Sequence, residues 1–110
     1  MSEKRGNNGG GSAYLVVDQE RHTARIVFQG DCDLAVAERF PPLLLQARGA
    51  GIRRLELDFC AVEFADVSVV RLSHMARLSR GVRLTLRMPA AVRRIFDLTD
   101  AAGSFDIRSC

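Results

Sequence analysis

Two short acidic segments are the first candidates for chemistry. They are Gly30-Asp-Cys-Asp33 and Glu63-Phe-Ala-Asp66, and each follows a run of residues typical of a β-strand. If the two strands lie in one sheet with helices between them, both segments emerge at the same edge, where α/β proteins bind ligands and partners. A simpler interpretation, which local physics favours, is that Asp33 and Asp66 only cap the helices that follow them.

Catalytic constellations are absent from the sequence. The two histidines, His22 and His74, fall in a predicted hairpin loop and in a predicted helix, and neither has the neighbours of a metal ligand or a general base. Gly49-Ala-Gly51 is too short for a dinucleotide fingerprint and precedes a strand, so it is interpreted as a helix stop. We therefore expect no enzymatic activity, no metal and no cofactor.

The three cysteines are Cys32, Cys60 and Cys110, without a CxxC pair. Free thiols are the expectation for a protein kept in a reducing compartment. A weaker hypothesis is a functional disulfide between Cys32 and Cys60, because both fall in or beside the two loops placed at one sheet edge. Cys110 is expected to be accessible.

Composition sets the class of protein. The chain has 110 residues, of which 47% are hydrophobic and 26% charged, as in an ordinary soluble domain. Its charge of +3 comes from arginines spread among 13 acidic residues, which does not favour nucleic-acid binding. No apolar run approaches the roughly 20 residues that span a membrane, and the first residues lack a secretory signal, so a cytoplasmic protein is expected.

The chain divides into a polar, glycine-rich segment over residues 1–12, predicted to be a flexible tail, and a domain over residues 13–110. Alternating or β-rich runs predict strands at residues 14–17, 24–28, 54–59, 82–86 and 105–107, with Gly30 ending the second. Helical periodicity predicts helices at residues 34–48, 67–80 and 90–98. Pro41 and Pro42 should break the first helix near Phe40.

This order of elements predicts an α/β fold. Strands separated by helices require parallel crossovers, whereas the first two strands form a hairpin. The alternation in the strand at residues 54–59 indicates that one face of the sheet is buried. We expect a single domain with a mixed sheet of 4–5 strands and three or more helices packed mainly on one face.

The sequence resembles the STAS family, named for sulphate transporters and anti-sigma factor antagonists. Gly30-Asp-Cys-Asp33 is similar to the family's Gly-Glu-Leu-Asp turn. Asp66-Val-Ser-Val69 is similar to its Asp-Ser-Ser-Gly segment at the start of the second helix. Val92-Arg-Arg-Ile-Phe-Asp-Leu-Thr99 resembles the third-helix pattern, and the likeness extends from Tyr14 to Ile107.

The resemblance implies a protein-binding module of transcription regulation and the stress response. Its partner would be an anti-sigma factor with a kinase-like ATPase fold. The residues implied in partner binding are Asp31, Asp33, Asp66, Val67, Ser68 and Val69. The alternative is a STAS subunit of a lipid-transport or stress-signalling complex.

The resemblance breaks down where the family is phosphorylated. The family's acceptor serine directly follows the aspartate, and that position is Val67 here, while Ser68 matches a neighbouring serine that is usually unmodified. The family glycine is replaced by Val69. We therefore expect little or no phosphorylation at Ser68.

Overall fold

A computed structural model describes residues 10–110 of the chain. It confirms the expected α/β class and order of elements. The strands and helices are β1 (Gly11–Asp18), β2 (Thr23–Cys32), α1 (Leu34–Ala37), α2 (Phe40–Gly49), β3 (Arg54–Ala65), α3 (Ser68–Arg77), β4 (Arg83–Arg87), α4 (Ala90–Leu98), a short 3-10 helix (Ala102–Ser104) and β5 (Ile107–Arg108).

The sheet contains five strands in the order β1-β2-β3-β4-β5. β1 and β2 form the expected antiparallel hairpin, in which Asp18 lies opposite Thr23 and His22 adopts a left-handed conformation in the loop. All the other strand pairs are parallel. Parallel neighbours need a long connection, and α1 with α2, then α3, then α4 supply the three crossovers.

The core lies between the sheet and the helices. Because strand side chains alternate between faces, every second residue of β2, β3 and β4 points to the same side. The fully buried residues of that side are Ile26, Phe28, Leu55, Leu57, Phe59 and Leu86. They join one cluster with helix residues that include Phe40, Val69, Leu72, Val92 and Phe96. The rings of Phe28 and Phe59 stack at 4.8 Å between centroids, which ties β2 to β3.

The opposite face of the sheet carries charged side chains. Glu56 in β3 accepts ion pairs from Arg25 in β2 at 3.5 Å and from Arg87 in β4 at 3.6 Å. Tyr14 and Val16 of β1 are exposed beside them. The expectation that the helices pack mainly on one face of the sheet is confirmed.

The predicted helix break is also confirmed. α1 ends at Ala37 and α2 begins at Phe40, so Pro41 and Pro42 occupy the first turn of a new helix. In a first turn the backbone N–H groups have no partner within the helix, so proline loses nothing there. The break lets Val36 and Phe40 both reach the core, where each is at most 1% exposed.

Several predicted boundaries are wrong. The second helix, predicted at residues 67–80, ends at Arg77, and the last strand, predicted at residues 105–107, is Ile107–Arg108. Gly30 does not end the second strand, because its positive φ of 72° accommodates an irregularity and β2 continues to Cys32. The third strand runs on to Ala65, well past residue 59. Of the predicted tail, Gly11 and Ser12 belong to β1, opposite Gly30 and Gln29, and residues 1–9 lie outside the described residues.

The central position of Leu57 gives a test of the core. Leu57→Ala is expected to lower the free energy of unfolding by about 2–5 kcal/mol, because the side chain is fully buried in β3 and its removal leaves a cavity. Leu45→Ala is the matched control, since Leu45 is 68% exposed and its loss should cost less than about 0.5 kcal/mol. Urea unfolding measures both, and equal effects would contradict this placement of the core.

Candidate functional site

The two acidic segments meet at one edge of the sheet. Parallel pairing of β2 with β3 places Asp31 opposite Phe64 and Cys32 opposite Ala65. The Asp66 N–H donates to the Cys32 carbonyl oxygen at 3.4 Å, which continues the pairing one residue beyond β3. Asp33 and Asp66 therefore leave neighbouring strands side by side, as the sequence predicted.

Both aspartates also start helices. Asp33 is the N-cap of α1, and its Oδ1 accepts a hydrogen bond from the Val36 N–H at 3.2 Å. The Asp66 Oδ1 accepts from the Ser68 N–H at 2.8 Å, where α3 begins. Capping was the simpler interpretation of these residues, and the structure confirms it for Asp33. The N-cap position of α3 is Val67, and Asp66, one residue earlier, bonds the first N–H of the helix. The caps also fix the positions of two half-buried carboxylates at the edge.

Cys32 lies beneath this pair of carboxylates. Its side chain is fully buried. Burial raises the pKa of the thiol to about 12, and the charges of Asp66 and Asp33 contribute to the rise. Because the thiolate is the nucleophilic form, a pKa this high leaves Cys32 inert near neutral pH.

The hypothesis of a Cys32–Cys60 disulfide is wrong in this structure. Cys60 is bonded to Cys110, with their Cα atoms 5.8 Å apart, and Cys32 is a free thiol. Their separation of 50 residues gave no sequence signal for the pair. The expectation that all three thiols are free is corrected by the same bond.

Exposed apolar residues adjoin the acidic residues in sequence or in strand register. Leu34, directly after the α1 cap, is 58% exposed, Phe64 near the end of β3 is 59% exposed, and Val67 at the start of α3 is 46% exposed. We call these three residues the edge patch. Val67 was a candidate in the sequence analysis, whereas Leu34 and Phe64 were not. The available signal for Leu34 was an apolar residue placed directly after a helix cap.

Ser68 and Val69 are placed differently from Val67. Ser68 is 5% exposed, and Val69 is fully buried in the core. The family resemblance implied that both residues contact a partner. The structure instead gives Val69 the role of anchoring α3 from below, because its side chain points away from the surface.

A groove of about 240 Å³ begins at Leu34 of the edge patch and is lined by residues of α1, α2 and α3. Its lining is mostly apolar and comprises Leu34, Ala37, Glu38, Pro41, Arg71, Leu72 and Met75. Apolar concave surface that stays exposed on a small domain is typical of a protein-binding site.

The histidines lie away from this edge. His22 is exposed in the β1–β2 loop. His74 is half-buried in α3, with its ring 4.9 Å from that of Phe105. Among residues 10–110, no group of three or more His, Cys, Asp or Glu side chains is arranged to hold a metal ion. The edge itself carries the half-buried carboxylates of Asp33 and Asp66 and exposed apolar surface.

Comparison with known proteins identifies the family of the chain. The sequence model of the family described as "Mlab, STAS domain" matches residues 15–108. The chain belongs to the STAS domain family. No curated protein matches this STAS domain.

Solved structures show the same fold. The STAS domain is similar to an anti-sigma factor antagonist from Mycobacterium paratuberculosis, with a TM-score of 0.76, 16% identity, and coverage of 89% of this chain and 85% of that one. It is similar to the anti-sigma factor antagonist SpoIIAA in its unphosphorylated form, with a TM-score of 0.72, 19% identity, and coverage of 89% and 87%. It is also similar to the Bacillus cell fate determinant SpoIIAA in the phosphorylated form. The TM-score is 0.67 and the sequence identity 19%, with coverage of 89% of this chain and 90% of that one.

Within the described part of the STAS domain, no helix has the length and apolar character needed to cross a bilayer.

The buried thiol gives a prediction on pH. The Cys32 pKa is raised from 9.0 to about 12, so the folded state keeps its proton where the unfolded chain loses it. The contribution of this thiol to stability is complete below pH 9 and is lost as the pH rises toward 12. Urea unfolding at pH 8 and pH 10.5 should show a larger alkaline loss of stability in the wild type than in Cys32→Ala. Equal losses would contradict the burial.

Proposed function

We propose that this STAS domain is an anti-sigma factor antagonist: it binds an anti-sigma factor with a kinase-like ATPase fold and so frees a sigma factor for transcription. The observation that carries the proposal is the meeting of Asp33, Asp66 and the edge patch at one side of the sheet. Family membership and the similarity to two anti-sigma factor antagonists support it. No catalytic role is assigned to any residue.

The edge patch would supply most of the binding energy. Leu34, Phe64 and Val67 together expose apolar surface that a partner can remove from water, at about 25 cal/mol per Å². Central apolar contacts ringed by polar groups are the usual anatomy of protein interfaces. Asp31, Asp33 and Asp66 would form the polar ring here, since all three are half-buried at the same edge.

The carboxylates also specify the kind of partner surface. Asp31, Asp33 and Asp66 carry negative charge at one edge, so the complementary surface of the anti-sigma factor would be basic. Capping holds Asp33 and Asp66 in place before the partner arrives, and a preorganised surface loses less conformational entropy on binding.

We further propose that binding is not controlled by phosphorylation of this chain. Val67 occupies the acceptor position of the family and has no hydroxyl group. The neighbouring hydroxyl belongs to Ser68, which is 5% exposed at the start of α3. A kinase would have to unwind the first turn of α3, and break the Asp66 cap, to reach it.

Binding by the edge patch is tested with two matched valines. Val67 is 46% exposed at the edge, and Val16 is 48% exposed in β1 on the helix-free face. Val67→Arg is expected to raise the Kd for the anti-sigma factor at least about tenfold, because it removes an apolar contact and places a cation opposite a basic surface. Val16→Arg should leave the Kd unchanged. Calorimetric titration measures both, and thermal unfolding confirms that each variant is folded.

The opposite pattern, with Val16→Arg impaired and Val67→Arg intact, would move the interface to the helix-free face. If no anti-sigma factor of the same genome binds the wild type, the proposed function fails. The alternative, a STAS subunit of a lipid-transport or stress-signalling complex, is then tested by repeating the two titrations with the proteins encoded by neighbouring genes.

The loss of the phosphorylation switch has its own test. Wild-type protein incubated with ATP and the anti-sigma factor should gain no phosphate by intact-mass spectrometry, whereas Val67→Ser should gain one, because it restores an exposed hydroxyl after Asp66. Val67→Ala is the control for the substitution itself. Stoichiometric phosphate on Ser68 of the wild type would refute the proposal.

A further inference from the structure

The Cys60–Cys110 disulfide joins two parts of the sheet across a strand. Asp58 is the last residue of β3 that pairs with β4, opposite Arg87, and Cys60 follows it two residues later. Cys110 lies two residues beyond β5 on the far side of β4. The bond therefore passes over the end of β4 and fastens the segment after β5 to β3.

Within residues 10–110, few other contacts hold the segment Ile107–Cys110, which we call the C-terminal segment. β5 pairs with β4 over only Ile107 and Arg108. The Met88 N–H donates to the Arg108 carbonyl oxygen at 3.0 Å, and the Arg87 guanidinium donates to the Ser109 carbonyl oxygen at 2.9 Å. Ile107 is half-buried, and the three residues after it are exposed. Segments with so little burial open locally at low cost.

The chain just before this segment is anchored independently. The Phe105 ring packs edge-on against Phe96 at 5.7 Å and lies 4.9 Å from the ring of His74. The Arg77 guanidinium lies 5.3 Å from the centroid of the Phe105 ring. These contacts do not involve either bonded cysteine, so they limit the effect of breaking the disulfide to residues beyond Phe105.

We propose that Cys60–Cys110 is a site of reversible thiol–disulfide exchange with a dithiol reductant, and that its redox state decides whether β5 stays paired with β4. This inference does not depend on the proposed partner. Cys32 takes no part, because it is fully buried and carries no bond to either cysteine.

The exchange proceeds by two displacements. A thiolate of the reductant attacks the sulfur of Cys110, the more exposed residue of the pair, and forms a mixed disulfide with it. The Cys60–Cys110 bond breaks, and Cys60 leaves as a thiolate that takes a proton. The second thiol of the reductant then attacks the mixed disulfide and releases Cys110 as a thiol. The protein gains two electrons and two protons, and the reductant ends as its own disulfide.

Reduction would expose the hydrogen-bonding groups of β4 that face β5. When the C-terminal segment leaves, the Met88 N–H loses its acceptor on Arg108, whereas the Leu86 N–H donates to Asp106, which directly precedes the segment. An unpaired strand edge can accept a strand from another chain. The oxidised bond keeps this edge covered.

Amide exchange measured by NMR at single residues tests the proposal. In oxidised protein the Leu86 and Met88 amides should be protected, and dithiothreitol should speed the exchange of Met88 at least about tenfold, because the segment that carries its acceptor opens locally. The Phe105 amide and those of α4 should not change. Cys110→Ser in oxidising buffer should behave as the reduced wild type, and Cys32→Ser should respond to dithiothreitol as the wild type does.

Three results would overturn the proposal. One is three free thiols in oxidised, folded protein. Another is a bond that dithiothreitol cannot reduce without denaturant. The third is complete reduction with unchanged exchange of the Met88 amide, or with an equal increase in the exchange rate of all amides. An equal increase would show that the bond stabilises the whole domain and not the C-terminal segment alone.

Discussion

Parallel pairing of β2 with β3 is the constraint on which the candidate site depends. The pairing begins at Thr23 opposite Arg54 and ends at Cys32 opposite Ala65, so 10 residues of β2 match 12 residues of β3. Two register shifts absorb the difference, and both fall in the second half of the strands. Because β3 takes up two extra residues there, its end stays level with that of β2. Asp33 and Asp66 therefore leave the sheet together, and α1 and α3 start beside each other.

The same pairing places the residues that stabilise the fold apart from the residues proposed to bind a partner. On the helix side, the stacked rings of Phe28 and Phe59 and the buried Leu57 supply the apolar burial that stabilises the fold. On the other side, Glu56 lies between two arginines in ion pairs that are too exposed to contribute much. The apolar side chains at the edge belong to neither group, because they stay in water. Their exposure costs the isolated domain free energy that a partner can recover.

Much of the fold could be predicted from the sequence, because its signals are local. The alternation around Leu57 and the two prolines after Phe40 each depend on near neighbours, and both predictions are confirmed. The extension of β3 to Ala65 was missed because an irregular strand loses its alternation. The inward direction of Val69 depends on the phase of α3 against the sheet, and the Cys60–Cys110 bond depends on proximity across β4. Neither is encoded by spacing along the chain.

The proposed partner docks on the edge where β2 and β3 end. The most direct measurement is an NMR titration of the isotope-labelled domain with the unlabelled anti-sigma factor, following every assigned backbone amide. The largest changes in chemical shift and the strongest line broadening should cluster at Asp33, Phe64 and Val67. Changes confined to Tyr14 and Val16 on the helix-free face, with the edge unaffected, would contradict this docking site.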